Sequence, residues 1–78
     1  MKRLYKLIAR IMGENVNAIN EQSSPETLKN WDSFNGLLLL DALEKEFDVK
    51  FGIEEVVDVK NVADIKRHLK KHGVKIDG

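Results

Sequence analysis

The sequence predicts an all-α fold: a small four-helix bundle of three long helices and one short third helix, with a long loop between helices one and two. Apolar residues recur at helical spacing in three stretches, within residues 2–12, 34–47 and 62–72. The one proline, Pro25, falls between the first two of these stretches and interrupts neither. Val49, Phe51 and Ile53 alternate as a strand would, so a short extended piece is the alternative there, but an isolated strand would lack a partner. The 78 residues read as one domain, 1–78. A domain near this size buries only about 60% of its unfolded surface, so its core is thin and a deep enzyme pocket is not expected.

In the first helix Leu4, Leu7, Ile8, Ile11 and Met12 keep helical spacing, Lys2, Arg3, Lys6 and Arg10 lie elsewhere, and Gly13 is a natural stop. A basic amphipathic helix can also lie on a membrane, but this stripe is short and lacks a tryptophan. Residues 14–30 are rich in Asn, Gln, Ser and Glu and read as a loop pinned to the core by Val16, Ile19 and Leu28. Ser24 and Pro25 suit the cap and first position of one helical turn within it. So long a connection is unusual in a compact domain and is often functional. Trp31 ends it and is expected to pack the loop against the bundle.

The second helix is the central one. At about 100° per residue, Leu39, Leu40, Leu43 and Phe47 share one flank, with Gly36 on the same side where another helix can approach. Phe34, Leu38, Asp41 and Lys45 run along the opposite side, with Leu37 at the border. This second apolar stripe fits either a helix buried on both sides or a partner-docking face with a charged edge. Asp32 and Ser33 stand where the helix begins. Both are favoured N-cap residues, and the same helix end presents N–H donors and positive dipole that suit a phosphate.

Ile53-Glu54-Glu55-Val56-Val57 gives the short third helix, acidic in its first turn. Asn61-Val62-Ala63-Asp64 resembles a capping box with aspartate in place of glutamate, and Val62, Ile65 and Leu69 mark the core face of a final helix to about His72. Its basic residues suit the negative end of the helix dipole. His68 and His72, at i and i+4, lack a local third ligand, so no metal site is expected. Val74 to Gly78 form a tail that Val74 and Ile76 can anchor.

Thirteen basic and thirteen acidic residues cancel but are segregated. Residues 1–20 carry four basic and one acidic, residues 21–58 three basic and ten acidic, and residues 59–78 six basic and two acidic. The acidic centre and zero net charge disfavour nucleic acid and suit basic partner proteins. Cysteine is absent, which removes disulfides and thiolate chemistry and makes a reducing cytoplasm the simple expectation. No run approaches the roughly 18 apolar residues of a membrane span. Ser33 has no evident base or orienting partner, and Glu44 and Glu46 lie on different sides of their helix, so catalysis by this chain alone is not expected.

Asp32-Ser33-Phe34, followed by an apolar helix ending in Ala42-Leu43-Glu44-Lys45-Glu46-Phe47, resembles the acyl carrier protein family. The family has Asp-Ser-Leu or Asp-Ser-Phe there and an Ala-Leu-Glu-Glu-Glu-Phe-like run, and the likeness extends over nearly the whole chain. It implies a non-enzymatic monomer in which Ser33 receives a 4′-phosphopantetheine arm from coenzyme A, with Asp32 flanking it for transferase recognition. The arm's thiol would carry acyl groups as thioesters. Implied partners are a phosphopantetheinyl transferase and acyl-loading, elongating or acyl-transfer enzymes. They would dock on Phe34, Leu37, Leu38 and Asp41, with Glu44, Glu54 and Glu55 as acidic margin. An apolar cargo would enter between helices lined by Leu39, Leu43, Ile65 and Leu69. Phe34, Leu38, Asp41 and the neutral total depart from the housekeeping fatty-acid carriers, which favours a dedicated carrier in a specialised lipid, polyketide-like or envelope pathway. Aminoacyl and peptidyl carriers commonly have a glycine pair in the lead-in, absent from Asn30-Trp31-Asp32-Ser33. The alternative from another class is a helical interaction module in which Ser33 is only a helix cap.

Overall fold

The computed structural model describes residues 2–74. Its helices are α1 (Lys2–Met12), α2 (Ser33–Phe47), α3 (Ile53–Asp58) and α4 (Val62–Lys71), with a 3₁₀ turn, Val16–Ala18, in the first connection. The expected all-α order is what forms, and the segment around Val49 to Ile53 makes no strand. Val74 packs half-buried on the core, whereas Ile76 lies outside the described residues.

The apolar stripes meet in one core. Leu4, Ile8 and Met12 of α1, Leu39 and Leu43 of α2, and Val62, Ile65 and Leu69 of α4 are almost completely buried. Each such side chain contributes about 1.5–3 kcal/mol relative to an exposed one. The short α3 buries none of its residues fully; Val56, and Val59 just beyond it, are half-buried. Apolar packing therefore holds α3 less firmly than the three long helices.

All three long helices end on a left-handed residue: Gly13 (φ 67°), Asp48 (φ 54°) and Gly73 (φ 84°). The next N–H in each case turns back into the helix. Glu14 donates to the Ala9 carbonyl (2.9 Å), Val49 to that of Glu44 (3.1 Å) and Val74 to that of Leu69 (3.0 Å). Gly13 and Gly73 adopt this geometry without a Cβ clash; Asp48, one of the few residue types that tolerate it, does so at some cost.

The long connection is fastened at both sides. Ile19 and Leu28 are buried as expected, but Val16 is exposed, because it sits in the 3₁₀ turn, which buries none of its residues. Around Ser24 the chain makes a single turn, with the Leu28 N–H donating to the Ser24 carbonyl at 2.8 Å. The loop also caps α4. The N–H groups of Val62 and Ala63 donate to the carbonyls of Ser23 and Glu21, each at 3.0 Å, satisfying donors that a helix start leaves free. Asn61 accepts from the Asp64 N–H (2.9 Å), while Asp64 reaches one residue further back than a capping box requires, accepting from Lys60 (3.0 Å).

The segregated charges find each other across the fold. Arg3 pairs with Glu46 (2.9 Å), Lys66 with Glu21 (3.0 Å) and Arg67 with Asp58 (2.7 Å). The acidic centre expected to face basic partners is thus partly neutralised by the chain's own basic ends. No helix among the described residues is long and apolar enough to cross a membrane.

Candidate functional site at the start of the second helix

Asp32 has extended backbone angles (φ −105°, ψ −174°), and its Oδ1 accepts from the Asn35 N–H at 2.8 Å. It is the cap of α2. Ser33 is the first helical residue, exposed, and its hydroxyl makes no hydrogen bond among the described residues. The reading of Ser33 as only a helix cap is therefore corrected, because the neighbouring carboxylate already fills that position.

The approach to Ser33 is held by a relay of amides. Asn35 Nδ2 donates to the Asn30 carbonyl and Asn30 Nδ2 to the Met12 carbonyl, both at 2.7 Å, tying the start of α2 to the end of α1. Trp31 is buried, its N–H donating to the Leu28 carbonyl at 2.9 Å. A Cβ added at Gly36 would lie 3.3 Å from Trp31 Nε1. The small residue thus admits the indole and not, as expected, another helix.

Beside Ser33 opens a hollow of about 480 Å³, bordered by Trp31, Gly36 and Leu40 and, across from α2, by Val56 and Val59. Of the residues expected to line an acyl-sized gap, Leu39 borders it. Leu43, Ile65 and Leu69 do not: they are sealed in the packing of the three long helices. The space lies instead where the short α3 covers α2 incompletely.

Phe34, Leu37 and Leu38 are 69%, 61% and 42% exposed, and on α3 Ile53 and Val57, which sequence reasoning did not single out, are 80% and 71% exposed. Asp41 pairs with Lys45 at 3.1 Å. Glu44 is half-buried and accepts from the Phe51 N–H at 2.7 Å. Glu54 is exposed. Glu55 turns inward, accepting from the Gly52 N–H (3.0 Å) and from His72 Nε2 (2.8 Å). The Gly52 N–H, followed by His72, holds its carboxyl down at about 2 from an ordinary 4.5. The structure thus gives Glu44 and Glu55 internal partners, whereas Glu54 has none among the described residues.

His68 is the residue the sequence hid. It is buried, with Nε2 2.8 Å from Asp58 Oδ2 and Nδ1 3.2 Å from Glu55 Oε2, the latter out of hydrogen-bond alignment. Arg67, and then His68, keep Asp58 below its ordinary range. The spacing Ile65, His68, Leu69 was the available signal, since i, i+3 and i+4 share a face. The cluster pins α3 to α4. Among the described residues no group of three or more His, Asp or Glu side chains is arranged to hold a metal.

Chemically, the site offers a free primary hydroxyl in the positive field of a 15-residue helix's first turn. The first-turn N–H groups of Ser33 and Phe34 have no partner within the helix. Both histidines, His68 on α4 and His72 just after it, are engaged by α3 carboxylates, and neither is partnered with Ser33. This donor set fits a phosphodiester on Ser33, with room beside it for an attached chain. No curated protein matches the chain. A family model described as a phosphopantetheine attachment site matches residues 2–69, from α1 through most of α4. Members of that family carry 4′-phosphopantetheine covalently, and with the match extending over most of its length this chain belongs to the phosphopantetheine-attachment family of carrier proteins.

Proposed function

We propose that Ser33 is the attachment residue and that the chain carries acyl groups between partner enzymes as an acyl carrier protein. The observation that supports this most is the exposed, non-capping Ser33 hydroxyl at the start of α2, beside an open hollow. When bound, the arm supplies a terminal thiol for thioester chemistry. In loading, the Ser33 oxygen forms a new phosphoester bond to the pantetheine-side phosphorus as the pyrophosphate bond of coenzyme A breaks, adenosine 3′,5′-bisphosphate leaves, and the serine proton passes to a base of the phosphopantetheinyl transferase. Asp32 fixes the helix start and hence the direction of the hydroxyl, and offers the transferase a flanking carboxylate. Phe34, Leu37 and Leu38 form the docking surface for acyl-loading, elongating or acyl-transfer enzymes. The hollow shelters the arm or an apolar cargo. The neutral total charge supports a dedicated role in a specialised lipid, polyketide-like or envelope pathway, carried out by a cytoplasmic monomer.

The test is intact mass and fragment mapping after incubation with a broad-specificity phosphopantetheinyl transferase, Mg²⁺ and coenzyme A. One phosphopantetheine adduct on the Ser33 fragment is expected. A folded but unmodified chain, under conditions that fully convert a control carrier, would overturn the reading.

A further inference from the structure

Resting on the reading of α2 as the docking surface, we propose that partner enzymes meet this face with an apolar recess and not with a basic patch. The charges support this choice. From α2 through α3, Asp41 is paired with Lys45, Glu46 with Arg3, and Asp58 with Arg67. Glu44 is taken by the Phe51 N–H, and Glu55 by Gly52 and His72, which leaves only Asp48 and Glu54 of this stretch without a side-chain partner among the described residues. A basic partner would have to displace these contacts before gaining its own, and the field of a closed pair is small beyond a Debye length of about 8 Å in physiological salt.

The apolar side chains are not consumed in this way. Phe34, Leu37 and Leu38, at i, i+3 and i+4, form a ridge directly after Ser33, and Ile53 and Val57, at i and i+4, form a second on α3. Leu37 and Val56 both border the hollow between α2 and α3. Aromatic side chains are enriched among the anchors of protein interfaces, and Phe34 stands next to the modified position.

The transferase itself is the probe. Its KM for this chain is measured between about 50 and about 500 mM NaCl, beside a strongly acidic control carrier that reports the enzyme's own salt response. Relative to that control, the KM is expected to change less than about twofold. D41N and E54Q together are expected to leave it within about twofold, whereas F34A and L38A each raise it more than about fivefold while thermal unfolding stays unchanged. A KM that rises about tenfold with salt, or a D41N/E54Q variant as impaired as F34A, would overturn the proposal. So would sedimentation showing a dimer at assay concentration that F34A dissolves, since a second copy would then cover the face. Absence of any Ser33 adduct while the control loads overturns the carrier reading beneath it, a result distinct from salt-sensitive loading.

Discussion

The two faces of α2 are made of similar residues and meet opposite fates. Leu39, Leu40 and Leu43 are shut into the core, while Phe34, Leu37 and Leu38, on the same helix, stand open to solvent. Hydropathy does not separate the two sets. Coverage does: the inner face packs with α1 and α4, whereas beside the Ser33 end of the outer face stands a six-residue α3 held to the α4 end of the fold largely by polar contacts. Exposed apolar residues clustered beside a free hydroxyl suit a surface kept for transient partners.

That contrast can be broken by mutation. The largest effect belongs to the inner face: L43A should lower stability by about 2–5 kcal/mol, since it empties a fully enclosed position. A loss below about 0.5 kcal/mol in urea denaturation would show that this face is not the core. Next comes the junction, where D32A should cost about 1 kcal/mol by freeing the Asn35 N–H.

A smaller loss is expected on acidification, read by the same denaturation series. Glu55, at about 2 in the fold against 4.5 ordinarily, stabilises above about pH 4.5 and loses that contribution as pH falls toward 2. Asp58, also lowered, acts with the same sign. E55Q should flatten part of this slope; an unchanged slope would mean that the carboxylate does not anchor α3. The least effect is on the outer face, where F34A and L38A should shift stability by no more than about 0.5 kcal/mol.

Much of this arrangement was legible in local pattern. The 3.6-residue period placed the three long helices, the acidic first turn after Gly52 placed the short one, and the polar Asp32-Ser33 pair before an apolar run placed the start of α2. What stayed hidden depends on residues far apart in sequence. Arg3 and Glu46 meet across 43 positions and Lys66 and Glu21 across 45, so segregated charge in the sequence did not translate into an acidic face. The hollow likewise follows from where Val56 and Val59 come to rest, and no period on α2 reports that. Which of two adjacent good caps does the capping was settled only by backbone angles. His68 was masked by basic neighbours that made its helix end read as solvated.

The most direct test follows S33A in two assays at once: urea denaturation, and intact mass after incubation with transferase, Mg²⁺ and coenzyme A. Because Asp32 is the cap and the Ser33 hydroxyl is free of it, stability should stay within about 0.5 kcal/mol of the parent, while the adduct disappears completely. A loss of about 1 kcal/mol, the size expected for a cap, together with a retained adduct, would show that Ser33 serves the helix and that the arm is attached elsewhere.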